Sequence, residues 1–142
     1  MKISNKKAYY DYFIIEEFIS GIMLVGSEVK SIFRMDFNFG DSYVLINGNE
    51  VLVKNMSISK YKDASIQNHE ELRDRKLLLK KKEISQLLKL KEQNGVTIVP
   101  LEIFTMNGKI KLKLGACKGK KNWDKRDSIK KRDIERQEDR KF

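Results

Sequence analysis

The chain has 142 residues, 30 Lys+Arg against 20 Asp+Glu, a net charge of +10, one His, one Cys and 40% hydrophobic residues. That length fits one domain with a modest core, and the apolar content argues against wholesale disorder. A lone cysteine makes no internal disulfide, and one His with one Cys cannot fill a Cys/His zinc centre. The polar, basic first ten residues lack the apolar stretch of a signal peptide, and no run nears the ~20 apolar residues of a membrane span. The excess charge points to a polyanion, either nucleic acid or an acidic membrane surface, and the whole suits a cytosolic protein.

In chain order, residues 8–19 are rich in Tyr, Phe and Ile and read as one long strand. Ser27 is placed to cap a short helix in which Val29, Ile32 and Phe33 share a face, with Glu28 near its start as structural support. Residues 42–46 and 50–54 flank Asn47-Gly48, a two-residue hairpin turn, and 54–61 extend the second arm. Residues 40–41 and 62–68 read as loops, and 75–79 as a short apolar strand. A helix is expected over 82–94, with Ile84, Leu87 and Leu88 inward and Gly95 as its stop. Residues 97–106 and 109–114 flank Asn107-Gly108 as a second hairpin. In its second arm Ile110, Leu112 and Leu114 alternate with Lys109, Lys111 and Lys113. That lysine ladder is either a solvated face or, against a polyanion, a binding surface. Five or six strands with interleaved helices suggest a small OB-type barrel; a split α+β sheet fits the same pattern.

Residues 118–142 hold eleven basic and six acidic side chains, a surplus of five that is half the net charge. Trp123, Ile129, Ile134 and Phe142 are too few to bury a helix face, so this tail is expected to be disordered or frayed alone and to fold against RNA. A search for chemistry is short. There is no G-x-x-x-x-G-K-[ST] loop and no G-x-G-x-x-G turn. His69 reads as a loop residue with surface hydrogen bonds, and Cys117 as a small residue ending a strand. Glu16 and Glu17 point to opposite faces of a strand unless a bulge intervenes. No metal ligand set, cofactor motif or catalytic cluster emerges.

Several blocks then line up in order: Asn5-Lys-Lys-Ala8, Tyr12-Phe-Ile14, Gly21-Ile22, Gly26-Ser-Glu-Val-Lys-Ser31, Asp41-Ser-Tyr-Val44, Arg75-Lys-Leu-Leu-Leu79, Lys82-Glu-Ile84, Val99-Pro-Leu101, Asn107-Gly108, Gly115-x-x-Lys-Gly-Lys-Lys121 and Asp124-Lys-Arg126 with Ile129-Lys130. Together they resemble the SsrA-binding protein (SmpB) family over nearly the whole chain. The resemblance implies a mainly β, OB-type Greek-key barrel over 1–117 with two to three flanking helices. It implies a basic tail over 118–142, disordered when free and helical on the ribosome. It further implies a monomeric, cytoplasmic, non-enzymatic factor with no cofactor and no membrane partner. Such a factor binds the tRNA-like domain of transfer-messenger RNA (tmRNA) and delivers it to stalled ribosomes for trans-translation, standing in for an anticodon arm.

The positions matching the family's RNA-binding blocks are Asn5, Lys6, Lys7, Lys30, Arg73, Arg75, Lys76 and Leu78. Those matching its ribosome-engaging segment are Lys118, Lys120, Lys121, Trp123, Asp124, Lys125, Arg126, Ile129, Lys130 and Arg132. Two stretches depart from the family pattern. Ile19-Ser20 stands where relatives have Glu-Ala, and Phe33-Arg34-Met35 stands where they have Arg and then Gly, Phe33 taking the Arg place. A generic OB-fold RNA-binding protein and a small RNA-processing enzyme are the readings from other classes.

Overall fold

The computed structural model describes residues 1–61 and 68–120. Along them run β1 (Lys2–Ser4), α1 (Lys6–Asp11), β2 (Tyr12–Ile22), α2 (Gly26–Phe33), β3 (Phe37–Asn38), β4 (Tyr43–Asn47), β5 (Glu50–Lys54), β6 (Ser57–Ile58), β7 (Arg75–Leu78), α3 (Lys81–Lys91), β8 (Val96–Met106) and β9 (Lys109–Gly119). Seven strands form one antiparallel sheet in the order β1-β8-β9-β2-β7-β5-β4, and β3 pairs β6 separately. The outermost β4 returns against β8, so the sheet curls into the mainly β, OB-type architecture expected from the sequence. Alternation sets which side chains line the inside of the curl. Ile103, Leu112 and Leu114 turn inward to meet Val44, Val51, Val53 and Leu77, with Ile32 of α2 and Ile84 and Leu87 of α3 closing the core.

Both Asn-Gly signals mark hairpins, but they turn differently. Asn107 and Gly108 both have positive φ (51° and 75°), as a type I′ turn requires. In the first hairpin Asn47 pairs Glu50, so the turn is Gly48-Asn49 rather than Asn47-Gly48, with Gly48 at φ 63°. That register sets Val44 opposite Val53 and Ile46 opposite Val51. Packing of the valines thus decides between adjacent turns.

Several local expectations are corrected. Residues 8–19 are not one strand, because Asn5 starts a helix. Its Oδ1 accepts the Ala8 N–H at 3.2 Å and its Nδ2 donates to Pro100 O at 2.8 Å. Ala8 then buries against Val99, Leu101 and Cys117, and the strand begins only at Tyr12. β5 ends at Lys54 because Asn55 adopts φ 62°; the chain turns there and re-forms as β6 in the small sheet. Ser27 does not cap α2. The Glu28 carboxylate accepts the Val25 N–H at 2.9 Å instead, and the buried face is Glu28, Ser31 and Ile32, with Phe33 outside. In α3, Ile84 and Leu87 are buried while Leu88 is exposed. A bulge interrupts β2 between Ile14 and Glu16, and another interrupts β8 between Pro100 and Glu102, where a missing proline N–H is tolerated. β9 continues to Gly119, two residues past the expected end of the barrel. Among the described residues no helix is long and apolar enough to cross a membrane.

Candidate nucleic-acid interface

On β7 the two-residue period sends Arg75 and Leu77 inward and Lys76 and Leu78 outward. Leu78 pairs Gly21 of β2, and Gly21 pairs Lys111 of β9. The outer face therefore carries a continuous row: Lys76 and Leu78 on β7, Gly21 and Ile19 on β2, Lys111 and Lys113 on β9. A Cβ at residue 21 would stand 3.1 Å from Leu78 Cβ and 3.3 Å from its Cδ1, so glycine lets the leucine lie across the strand. Leu78 is 52% exposed, a surface residue rather than a core one. Lys113 is committed to Glu17 and Glu102, each at 3.5 Å, which leaves Lys109 and Lys111 as the ladder's contribution to the positive face. Two shallow hollows flank Leu78. One of about 340 Å³ includes Phe33, Lys109 and Lys111; the other, about 580 Å³, includes Ile19, Lys76, Lys80 and Lys81. Cations around an apolar strip suit phosphates and ribose or base faces, not base-edge readout. Lys109 and Lys111 were visible as a ladder, but only the register sets them beside Leu78.

The inward face of β7 overturns one expectation. Arg75 is completely buried and cannot meet RNA. Its Nε donates to Glu28 Oε2 at 2.6 Å, its NH1 to Met56 O, and its NH2 to Glu71 O at 3.1 Å. Arg73 NH2 donates to Glu28 Oε1 at 2.5 Å, so this partly exposed guanidinium is also engaged. Burial would raise the Glu28 pKa, but hydrogen bonds from Arg73, the Val25 N–H and Arg75 outweigh it and hold it below the ordinary 4.5. His69 is not at the surface either. It is 5% exposed, with Nδ1 2.8 Å from Ser27 Oγ and Nε2 2.8 Å from Ile58 O. A carbonyl only accepts, so Nε2 carries a proton and donates to Ile58 O. Glu28, Arg73, Arg75 and His69 thus bolt α2 to the strands beneath it.

The remaining expected residues scatter around this strip. Asn5 is buried as the α1 cap. Lys6 is exposed, and Lys7 pairs Asp41 at 2.5 Å on the surface. Lys30 and Arg34 approach the Tyr61 ring at 5.2 and 4.7 Å, a cation-aromatic group in which sequence reading missed Tyr61, since it lies 27 positions from Arg34. Lys118 is exposed on β9. Lys120 is anchored: its N–H donates to Asp11 O at 2.8 Å, its Nζ donates to Tyr9 O at 3.2 Å and lies over the Phe13 ring. Lys121, Trp123, Asp124, Lys125, Arg126, Ile129, Lys130 and Arg132 lie outside the described residues. Cys117 is buried, and burial with the Glu17 charge pushes its thiol up to about 11, so it is no nucleophile near neutral pH. Among the described residues no group of three His, Cys, Asp or Glu could hold a metal.

Comparison with known proteins follows the same lines. The family profile described as SmpB protein matches residues 2–142. The SsrA-binding protein of Clostridium novyi (strain NT) is 52% identical over 137 residues, covering 94% of this chain and 87% of the relative. That of Borreliella afzelii (strain PKo) is 46% identical over 134 residues, covering 94% and 89%. A solved structure described as "tmRNA-SmpB: a journey to the center of the bacterial ribosome" superposes with a TM-score of 0.71 at 36% identity, covering 90% of this chain and 94% of that one.

Proposed function

The chain belongs to the SmpB family of SsrA-binding proteins, and from that premise we propose that it binds the tRNA-like domain of tmRNA and delivers it to stalled ribosomes for trans-translation. The observation that carries the reading is the outer row of Lys76, Leu78, Gly21 and Lys111, a positive strip with an apolar centre on a chain of this family. Lys76 and Lys111 offer phosphate contacts, and Leu78 offers an apolar surface for a ribose or base. Lys6 on α1 and Lys30 on α2 are further exposed cations assigned to the RNA, and Arg73 is half-exposed while paired with Glu28. Asn5 and Arg75 serve the interface by holding α1 and α2 in place, not by touching RNA. Binding of this kind reads shape and charge, which suits a protein that substitutes for an anticodon arm.

The second half of the positive charge lies in the tail, and Lys120 fixes where that tail leaves the barrel. Lys121, Trp123, Asp124, Lys125, Arg126, Ile129, Lys130 and Arg132 are assigned to ribosomal RNA, with Trp123 stacking on a base. The protein acts in the cytoplasm, as a monomer off the ribosome, and catalyses nothing. Electrophoretic titration against the tRNA-like domain and against an ordinary tRNA, at several salt concentrations, tests the reading. Tighter binding to the tRNA-like domain is expected at every salt concentration; equal affinity overturns it. Deleting 121–142 should keep that affinity and abolish tagging on stalled ribosomes.

A further inference from the structure

Phe33 is a large aromatic side chain that nothing in the barrel covers. It ends α2 and is 54% exposed, although Ser31 and Ile32 just before it are buried. It lines the hollow of about 340 Å³ together with Ile22, Leu24 and Leu78, while Lys109 and Lys111 stand at the β8–β9 turn beside them. That size lies in the range of small-ligand clefts. The walls are apolar and include one aromatic ring, and the rim is cationic. This chemistry matches a nucleotide: a base has a π-face for Phe33, and its flanking phosphates are anionic. The chain's own tail is a poor occupant, because its surplus of positive charge meets lysines at the rim.

We propose that the hollow takes one unpaired nucleotide of the bound RNA, with Phe33 stacked on the base and Lys109 and Lys111 on its phosphates. The proposal rests on the RNA-binding reading above and makes Phe33 a determinant of affinity that is independent of salt. The test titrates the tRNA-like domain of tmRNA with the full chain and with Phe33→Ala and Phe33→Tyr, at four salt concentrations, alongside thermal melting. Losing a stacked base should weaken Phe33→Ala by about 5- to 150-fold, without changing the salt slope or the melting temperature. Phe33→Tyr, which keeps the ring, should bind within about threefold of the wild type. Phe33→Ala binding as tightly as wild type overturns the proposal, as does a loss in Phe33→Tyr equal to that in Phe33→Ala. Unchanged RNA affinity with weaker ribosome binding assigns the hollow to a ribosomal protein and also overturns it. Equal binding of the wild type to the tRNA-like domain and an ordinary tRNA overturns the tmRNA reading instead, while the Phe33 comparison stays readable on either RNA.

Discussion

Arg75 and Lys76 are adjacent cations with opposite fates. One strand step separates them, yet Arg75 is sealed against Glu28 beneath α2 and Lys76 stands on the RNA-facing strip. The inner face of β7 spends its charge on holding elements together. The outer face spends its charge on a partner. Positive residues in a nucleic-acid-binding protein are therefore not interchangeable evidence of contact: position in the pleat decides which are scaffold and which are surface.

The largest effect expected on this contrast comes from the inner face. Arg75→Ala leaves the Glu28 carboxylate buried with two of its three donors, Oε2 having lost its own, and should cost about 3–5 kcal/mol in urea unfolding. Its RNA affinity, measured where the variant is still folded and α2 keeps its place, should stay near wild type; a variant with native α2 packing that fails to bind would put Arg75 at the interface after all. Gly115→Ala strikes the second cluster, where a Cβ would stand 2.6 Å from Leu101 Cδ1 and 3.1 Å from Cys117 Sγ. Such overpacking should cost about 1–3 kcal/mol by the same measurement, and no cost would mean that Leu101 rotates away freely.

Acid should reach the inner face before the outer. The folded Glu28 pKa lies below its unfolded value of 4.5, so its contribution to stability is present above that pH and is lost as pH falls through the folded pKa. The melting temperature should decline below about pH 4.5, and more shallowly in Glu28→Gln; parallel declines would place the acid-sensitive group elsewhere. The smallest stability effects belong to the outer face. Lys76→Ala and Lys111→Ala should each leave unfolding within about 0.5 kcal/mol of wild type. Each should also reduce the slope of log affinity against log salt by about one unit. An unchanged slope removes that lysine from the strip.

The run 75–79 is legible in the sequence as a strand, but the family resemblance groups Arg75 with Lys76 as an RNA contact; only the pleat, with Leu77 in the core, turns Arg75 inward and Lys76 outward. What no local pattern reveals is the carboxylate that receives Arg75, because Glu28 lies 47 positions away in another element. His69 was misplaced for the same reason: its neighbours in the chain are polar, while its partners, Ser27 and the Ile58 carbonyl, arrive from elsewhere. The β8–β9 hairpin was legible because Asn107-Gly108 and the flanking alternation agree. α1 was not, since six residues are too short to show a helical stripe and a capping Asn5 bonded to the Pro100 carbonyl outweighs the strand preference of Tyr9 and Tyr10.

The pairing of β2 with β9 also sets a timetable. Tyr12 faces Gly119 and Gly21 faces Lys111, so one of the earliest strands made waits for the last described one before its edge is covered. At synthesis rates of about 5–20 residues per second, the β4–β5 hairpin can close early, whereas β2 spends seconds with an open flank. Completion from both ends of the chain makes this a slow-folding topology, and a message cut short before β9 would yield a protein unable to close.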